Sequence, residues 1–423
     1  MKLLGARLLP AAIGLAASFF LPAAAWSTEG YFQLGFSPIQ NALGGAGVAN
    51  SEDAMSMALN PAGIVDIGRQ FQLGAALFMP YRGYSASGGG YVAPGTIESS
   101  NNLFVMPNMA YSHPIDANSA VGVVLYGNGG MNTTYKGVAN YNAACAGAAG
   151  PTAGVFCSGD AGVDLMQGFL SVDYARRMGK FAFGIAPTLA VQRFSAKGLK
   201  SFSTSSADAA HLSDNGYDYS VGGGLRAGVQ FDVTDQFRLA FAGQTKMWMT
   251  KLSKYAGLFA DQGGFDIPAA ITAGLAYDVN PQLTVMADVQ RIFYSGVGAV
   301  GNSSGIKLPF GSTGGPGFGW HDINVYKVGV EYRMNEIWTF RAGYAYNDNP
   351  VQSADVMLNI LAPGVVQHHF TAGGTYKMSK SDSMDFAFVY APDSKVAGTD
   401  AYGDAIELHM HQYIAQVGWT HDF

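Results

Sequence analysis

Apolar and polar side chains alternate along many short stretches of the chain. Between Tyr219 and Asp232, most apolar side chains fall at odd positions, and glycine or polar side chains fall at even positions. The stretches 271–277 and 338–346 alternate in the same way. Because successive side chains of a strand point to opposite faces, this period of two predicts strands that have one apolar and one polar face.

The connections between these stretches are alternately short and long. Short polar turns are predicted near 113–118, 177–180, 233–236, 280–282, 334–337 and 378–382. Long loops rich in glycine, serine and asparagine are predicted over 82–101, 129–161, 195–216, 250–267, 295–322, 347–366 and 391–408. Bacterial outer-membrane barrels have an even number of strands, short periplasmic turns and long outer loops. We therefore predict an all-β fold, a transmembrane antiparallel β-barrel of about 14 strands over residues 71–423.

The segment from Thr28 to Gln70 does not share this alternation. Glycines and a proline interrupt it repeatedly. A short helix is predicted from Ala54 to Leu59, with Ser51 as its N-cap and its end set by Pro61, because the residue before a proline is pushed out of the helical region. A compact, apolar segment ahead of a barrel predicts a plug, or hatch, inside the lumen over residues 28–70.

The composition supports a membrane barrel. Charged residues make up 13% of the chain, compared with about 25% in a typical soluble domain. The mean hydropathy is +0.11. After the N-terminus, no apolar run approaches the roughly 20 residues of a membrane helix. The net charge of -6 gives no support for a nucleic-acid partner.

Residues 1–27 have the pattern of a signal peptide. Lys2 and Arg7 provide a positive start, and an apolar run and small residues follow. Cleavage is expected after Ser27, with Ala25 as the second choice. A retained membrane anchor is the alternative, but the apolar run is short for that role. Export of a barrel predicts the outer membrane of a Gram-negative bacterium, surrounded by outer-membrane lipids.

The final predicted strand ends on an aromatic residue, Phe423. This ending is similar to the C-terminal signal that outer-membrane barrels present to their assembly machinery. We therefore expect the barrel assembly machinery to be a partner during biogenesis.

Both cysteines, Cys145 and Cys157, fall in one polar loop. In an exported protein a disulfide is the expected state, and two free thiols are the alternative. No histidine lies near the pair, and His368 and His369 point to opposite faces of a strand because they are neighbours in it. The sequence therefore predicts neither a metal site nor a cofactor.

Three short motifs occur in a characteristic order. They are Asn60-Pro61-Ala62 in the first segment, Met106-Pro107-Asn108 in the second strand, and Trp338–Gly343 followed by Asn349-Pro350. With these motifs, the chain resembles the FadL-type outer-membrane transporters of long-chain fatty acids and other hydrophobic compounds. The resemblance covers nearly all of the mature chain. It implies a fourteen-stranded barrel that has a hatch in its lumen.

The resemblance also implies a mechanism. Substrate would bind in a shallow outer groove, move to a deeper hydrophobic pocket and leave sideways through a gap at a kinked third strand. The matching stretch is Gly127-Asn128-Gly129-Gly130, where glycine weakens a strand and permits unusual dihedrals. Asn60 of the plug would contact this kink. An ordinary strand end at the glycines, and a simple helix stop at Asn60, are the alternatives.

In fatty-acid members of the family, a basic pair meets the carboxylate. Arg193, which precedes Phe194, matches one of the pair. The region that matches the other, residues 314–318, contains no lysine, and Lys307 is the available substitute. This departure favours apolar ligands over fatty acids. Arg193 can alternatively be a solvated residue at a strand end.

Apolar residues of the first segment are further candidates for ligand binding. Methionine and aromatic side chains suit an adaptable apolar site. Their alternative role is the internal packing of the plug. The candidates are Phe32, Phe36, Met55 and Met57.

The function that these observations favour is passive, non-enzymatic uptake of hydrophobic small molecules by a monomer. Long-chain fatty acids and aromatic or aliphatic hydrocarbons are the expected cargo. A porin for polar solutes is the alternative, and by alternation Arg226, Lys327, Glu331 and Arg341 point into the lumen. A barrel enzyme such as a lipase is the third hypothesis, but no serine and histidine form a recognisable catalytic pair.

Overall fold

The computed structural model describes residues 28–148 and 150–423, so the predicted signal peptide lies outside the described residues. Its single sheet contains 16 strands. Two of them, Gly95–Glu98 and Trp248–Met249, are short additions to loops. The remaining fourteen form a closed antiparallel barrel, in which each strand pairs with its sequence neighbour and the last pairs with the first. The predicted fold class is confirmed.

The barrel strands are β1 (Gln70–Ser87), β2 (Phe104–Asp116), β3 (Ser119–Asn132), β4 (Gly162–Met178), β5 (Phe181–Lys197), β6 (Asp218–Asp232), β7 (Phe237–Gln244), β8 (Ala270–Asn280), β9 (Leu283–Ile292), β10 (Ile323–Arg333), β11 (Trp338–Asn347), β12 (His368–Lys377), β13 (Asp382–Thr399) and β14 (Ala405–Asp422). Short α-helical segments occur at Pro38–Ala42, Ala260–Gly263, Gly298–Gly301 and Val356–Asn359, and 3-10 helices at Ala54–Ala58, Pro61–Asp66, Ala143–Cys145, Lys200–Ser205, Ala209–His211, Ser253–Tyr255, Tyr294–Gly296 and Ser353–Asp355. No helix within the described ranges is long and apolar enough to cross a membrane.

The two faces of the wall follow the predicted alternation. On β6, the outward side chains of Tyr219 and Phe231 are 64% and 45% exposed, whereas Ser220 and Gln230 are buried on the inner face. Exposed apolar side chains of this kind recur on the outer faces of the other strands. An apolar band of this type is the surface that a membrane barrel presents to lipid.

The six short turns join strands as predicted, but the last long loop is wrong. The sequence predicted a loop over 391–408, whereas β13 and β14 continue outwards and leave only residues 400–404 between them. A register shift between Ala391 and Ser394 accommodates the interruption of the pattern. Beyond this bulge, Lys395 and Glu407 form a cross-strand ion pair at 2.8 Å. Polar outward residues continue the hairpin past the apolar band.

Residues 28–69 are largely buried against inward-facing residues of the barrel strands. Asp66 pairs with Arg177 of β4 at 2.7 Å, and Glu52 pairs with Arg341 of β11 at 2.7 Å. These two strands are seven apart in the ring, so the segment is held from opposite sides. Glycine permits its close approach, because a Cβ atom at Gly184 would collide with the backbone of Pro61.

The local structure of this segment differs from the prediction. The turn that begins at Ala54 is a 3-10 helix ending at Ala58, and its N-cap position is Asp53 rather than Ser51. A second 3-10 helix, Pro61–Asp66, starts at once, with Asn60 as its capping residue. The carboxylate of Asp53 caps no backbone N–H of this helix, and it accepts hydrogen bonds from Gln72 of β1 at 3.0 Å and from the hydroxyl of Ser56 at 3.3 Å.

Candidate functional site

The third strand, β3, leaves its neighbour β2 part-way along. Their pairing runs from Asp116 opposite Ser119 to Asn108 opposite Tyr126, and no described pair continues it. Residues 127–132 of β3 therefore have no partner in β2, although they remain paired with β4 as far as Asn132. The wall loses its hydrogen-bonded continuity between β2 and β3 on the side of the long loops.

A β-bulge marks the point of departure. The register between β3 and β4 shifts between Gly127 and Gly129, so Asn128 is the extra residue. Its buried side chain donates a hydrogen bond to Oε1 of Gln167 at 3.1 Å. Because a bulge bends a strand and increases its twist, it accounts for the change of direction. The stretch selected as a candidate opening is thus a bulged, partly unpaired part of β3.

The first segment supplies partners to this part of β3. The N–H of Gly130 donates to the carbonyl of Tyr31 at 3.2 Å, and Phe32 forms an isolated β-bridge with Gly129. The side-chain amide of Gln33 donates to the carbonyl of Gly127. Glycine is needed for this approach, since a Cβ atom at position 129 would collide with the Tyr31 carbonyl.

Asn60 does not make the predicted contact with the kink. Its side-chain amide donates to the carbonyls of Val48 at 2.9 Å and of Val229 on β6 at 3.3 Å. Its Oδ1 accepts from the N–H of Ala62 at 3.0 Å. Asn60, Pro61 and Ala62 are all buried. This motif therefore joins turns of the segment to the wall at β5 and β6, and residues 31–33 contact the kink instead.

Arg82 holds the free end of β3 and was not among the predicted site residues. This buried side chain of β1 donates through Nε to the carbonyl of Asn132 at 2.7 Å and through Nη2 to its Oδ1 at 3.1 Å. The guanidinium lies 5.5 Å from the centre of the Phe104 ring at the start of β2. No sequence signal marks the role, because it depends on where β3 has moved.

Two neighbouring spaces lie among the long loops. The outer groove is lined by side chains that include Phe202, Leu308 and Tyr402. The apolar pocket, which is the smaller space, is lined by side chains that include Phe194, Phe259, Phe318 and Leu358. Phe310 and Pro316 line both spaces. The candidate residue Phe194 thus lies in the apolar pocket.

Three buried aromatic side chains lie between the apolar pocket and the interior of the barrel. The ring of Trp320 is 5.7 Å from that of Tyr31 and 5.1 Å from that of Tyr294. On one side Trp320 faces Phe318 of the apolar pocket at 6.5 Å, and on the other Phe32 lies 5.9 Å from Tyr294. The hydroxyl of Tyr294 accepts from the N–H of Tyr31 at 3.1 Å, which fixes this part of the segment.

Below these rings is a small space that we call the lumen cavity. Phe32 and Phe36 line it together with Asn128, Arg226 and Lys327. Two of the four apolar candidates from the first segment therefore border a cavity that also adjoins the β3 bulge.

The two methionine candidates have a different position. Met55 and Met57 are buried and line none of these three spaces. Met57 packs against β3 so closely that a Cβ atom at Gly122 would collide with its sulfur. They serve the packing of the segment.

Arg193 is the clearest departure from the expected site. Its neighbours Gln192 and Phe194 turn inwards, and it lies opposite Tyr219, whose side chain is exposed on the outer face. Its Nη2 pairs with Asp164 at 3.1 Å. Strand alternation therefore directs the side chain of Arg193 outwards, away from the inward-facing Phe194, and its role in binding a carboxylate stays a prediction.

A tyrosine completes the outer cluster around Arg193. The guanidinium lies 4.3 Å from the ring centre of Tyr217, and the Tyr217 hydroxyl donates to Asp164 at 2.6 Å. Burial and the neighbouring Asp164 raise the pKa of Tyr217 to about 12, so its hydroxyl stays protonated at neutral pH. Arg193, Tyr217 and Asp164 therefore contact one another, and the guanidinium of Arg193 already has a carboxylate partner.

The inward charges cited for a porin are all buried and engaged. Lys327 lies 2.8 Å from the carboxylate of Glu29 and donates to the carbonyl of Leu34 at 3.1 Å. Arg341 pairs with Glu52 and with Glu331, each at 2.7 Å. These groups bind residues 28–69 or one another and do not line an open aqueous channel.

The two cysteines are bonded to each other in the loop between β3 and β4. Their Cα atoms are 5.1 Å apart. Asn140 in the same loop donates to the carbonyl of Tyr91 at 3.0 Å. The ring of Phe156, next to Cys157, lies 5.7 Å from that of Phe202. The disulfide loop therefore packs against the wall of the outer groove.

Comparison with known proteins assigns the family. Residues 15–413 match the model of the outer membrane protein transport protein family, OMPP1/FadL/TodX. The chain belongs to this family. Its members are outer-membrane transport channels for hydrophobic compounds and not enzymes, which confirms the outer-membrane location and the non-enzymatic function.

Solved structures of this family share the fold. The P. putida toluene transporter TodX has a TM-score of 0.69 and 20% identity, covering 92% of this chain and 99% of that one. The Ralstonia pickettii toluene transporter TbuX has a TM-score of 0.64 and 21% identity, covering 92% and 99%. A Pseudomonas aeruginosa FadL homologue has a TM-score of 0.68 and 15% identity, covering 93% and 100%.

A sequence match to another FadL-type protein is local. The long-chain fatty acid transport protein of Escherichia coli O6:H1 is 32% identical over 87 residues. This stretch is 21% of the present chain and 19% of that protein.

Proposed function

We propose that this FadL-family protein takes up hydrophobic small molecules passively and releases them sideways into the membrane. The observation that carries the proposal is the loss of pairing between β2 and β3 beyond Tyr126, where β3 bends towards residues 31–33. Cargo would pass from the outer groove through the apolar pocket and the lumen cavity to this opening. Residues 127–130 form its edge.

The entry side supports an apolar cargo. The lining of the apolar pocket is almost entirely aromatic and aliphatic, and Phe310 and Pro316 line both this pocket and the outer groove. Apolar burial contributes about 25 cal/mol per Å², so such a pocket favours hydrocarbon over polar solutes. Toluene and long-chain fatty acids, the cargo named for the similar transporters, set the substrate class that we propose: aromatic or aliphatic hydrocarbons and long-chain fatty acids.

The exit side supports lateral release. In lipid, an unpaired backbone group is costly, so a gap in a barrel wall needs partners from elsewhere in the protein. Tyr31 accepts from the N–H of Gly130 and Gln33 donates to the carbonyl of Gly127, both in the part of β3 that β2 no longer pairs. These two bonds support an opening that persists in the wall. A hydrophobic cargo that enters the bilayer directly also avoids the aqueous space beyond.

We propose that residues 28–70 act as the plug, with residues 1–27 as the leader and 71–423 as the barrel. Ion pairs to β4 and β11 hold the segment from opposite sides. The inward charges that favoured a polar channel are occupied by this contact. A porin would instead need an open lumen with solvated charges. We further propose that the monomeric barrel is assembled by the barrel assembly machinery and is surrounded by outer-membrane lipids.

Uptake in cells tests the proposal. Cells that lack their own hydrophobic-compound transporter would express the protein, and uptake of radiolabelled toluene, a long-chain fatty acid and a polar sugar would be compared with cells carrying empty vector. We expect faster uptake of the hydrophobic compounds and no change for the sugar. Equal stimulation of all three would support the porin alternative, and no stimulation of any would contradict both.

A further inference from the structure

We infer that Asn359 is a positioning residue that holds Trp320 across the passage from the apolar pocket to the interior of the barrel. The inference rests on the proposed uptake function and deepens it, because it assigns the control of cargo rate and cargo size to one side chain. Asn359 is fully buried in the loop between β11 and β12, and it lines neither the apolar pocket nor the lumen cavity. It would act through the aromatic rings next to it.

The side-chain amide of Asn359 uses its oxygen and both of its N–H groups. Its Oδ1 accepts from the indole N–H of Trp320 at 2.6 Å. Its Nδ2 donates to the carbonyl of Phe318 at 2.7 Å and to the carbonyl of Asp355 at 2.8 Å. Since an indole has a single donor and no acceptor, this bond is the one that fixes the polar edge of the Trp320 ring.

The ring that Asn359 holds lies across the passage. Trp320 is fully buried and packs on Tyr31 and Tyr294 on the barrel side, with ring centres 5.7 and 5.1 Å away. On the other side it faces Phe318 of the apolar pocket at 6.5 Å. Rings at these distances are in contact, so the indole has to move before a hydrocarbon can pass. The bond to Asn359 opposes this movement, because a displaced indole N–H would be buried without a partner.

The helix Val356–Asn359 brings this bond close to the cargo. Met357 lines the outer groove, and Leu358 lines the apolar pocket. Asn359 follows directly in the chain. Cargo that fills the apolar pocket therefore contacts the residue next to Asn359, so the bond to the indole lies where arriving cargo can disturb it.

A purely structural role for Asn359 is the competing account. The bonds from Nδ2 to the carbonyls of Phe318 and Asp355 would stabilise the loop whether or not cargo passes. The two accounts predict opposite effects of removing the amide. Loss of support for the loop lowers the amount of folded protein and the uptake. Loss of the bond that holds Trp320 raises the uptake rate of each folded molecule.

Uptake rates normalised to the amount of protein at the cell surface separate these accounts. Cells would be given radiolabelled toluene or the larger hydrocarbon phenanthrene over a range of concentrations. We expect Asn359→Leu to raise the maximal rate about three- to tenfold, the equivalent of one lost hydrogen bond. The gain should be greater for phenanthrene than for toluene, because a larger cargo requires a larger displacement of the indole.

Two further variants sharpen the test. Asn347→Leu is the matched control, since Asn347 is equally buried, donates to the carbonyls of Asp348 and Val366 at 3.0 Å each and lines none of the three spaces. Its rates should not exceed those of the wild-type protein. Trp320→Phe keeps a ring and removes the indole N–H, and it should also raise the maximal rate. Asn359→Leu should add little in the Trp320→Phe background, because both changes remove the same bond.

Heat-modifiable mobility on gels would show that each variant is a folded barrel. An unchanged or lower maximal rate in folded Asn359→Leu would overturn the positioning role, and the same result in Trp320→Phe would do so if Asn359→Leu does not fold. An equal gain in Asn347→Leu would also overturn it, because the effect would then not depend on Trp320. In each case the proposed uptake function would stand if the wild-type protein imports toluene, and would fall separately if it does not.

Discussion

Oε2 of Glu52 lies 2.7 Å from Nη2 of Arg341, and this ion pair joins the segment before the first strand to the inner face of β11. Arg341 also binds Glu331 of β10 at 2.7 Å, and Arg333 lies 2.7 Å from the same carboxylate, so Glu331 is held between two guanidiniums. Both Arg341 and Glu331 are almost fully buried. The pair is therefore part of how the segment is held, and not a surface contact.

Removal of Arg341 should destabilise the barrel. In Arg341→Met the carboxylates of Glu52 and Glu331 lose the buried guanidinium that they share and keep only the more exposed Arg333. Breaking a buried pair costs roughly 3–5 kcal/mol. We expect a clear fall in the temperature at which the purified protein loses its folded gel mobility. Lys395→Met is the control, because it removes an ion pair in an exposed hairpin. Equal behaviour of the two variants would contradict the role of Arg341.

Deletion of residues 30–68 should open the lumen to ions. The segment holds the buried charges of the wall and fills the interior, so without it an aqueous path remains. Single-channel recordings in planar bilayers should show little conductance for the wild-type protein and a steady ohmic pore for the deletion variant. A wild-type conductance that matches the deletion would favour the porin alternative.

A methyl group at Gly228 should disturb the segment. The Cβ atom of Gly228→Ala would collide with Oδ1 of Asn60, the residue that caps the second 3-10 helix. Overpacking of this kind typically lowers the free energy of unfolding by about 1–3 kcal/mol. We expect a lower unfolding temperature by heat-modifiability or circular dichroism. Gly89→Ala, where a Cβ atom meets nothing within 4 Å, should leave it unchanged. An unfolding temperature of Gly228→Ala equal to that of the wild-type protein would contradict this, because it would mean that Asn60 shifts to make room for the methyl group.

The loop between β3 and β4 should contain no free thiol. Cys145 and Cys157 are bonded in the structure, and the chain has no other cysteine. Protein extracted from outer membranes should not react with maleimide until a reductant is added, after which both positions should be labelled. Labelling of native, unreduced protein at either position would refute the disulfide.

The alternation of side chains predicted the barrel and its short turns, because one face of each strand meets lipid along its whole length. The same alternation also predicts the direction of the Arg193 side chain. Val191 is on the outward face of β5, and Arg193 follows two residues later, so alternation directs it outwards. The family resemblance implied a carboxylate-binding role for Arg193 and did not specify the direction of its side chain.

Other features depend on contacts between distant parts of the chain. In the hairpin of β13 and β14, a bulge near Pro392 interrupts the alternation of side chains. This stretch was predicted as a loop because the alternation breaks there. The role of Arg82 and the lining of the lumen cavity depend on where β3 and the first segment lie. Neither a periodicity nor a motif in one sequence specifies those positions.

The most direct test of lateral release is to measure uptake by variants in which the proposed opening is blocked. Gly127→Arg and Gly130→Arg place a large side chain at the unpaired part of β3, and Ala273→Arg places the same side chain on the outer face of β8, which is paired on both sides. Uptake of a labelled hydrocarbon would be measured in cells with equal surface amounts of each folded variant. The account predicts that both glycine variants lose uptake while Ala273→Arg retains it. Normal uptake by well-assembled Gly127→Arg and Gly130→Arg proteins would mean that cargo leaves along the lumen, and would contradict lateral release.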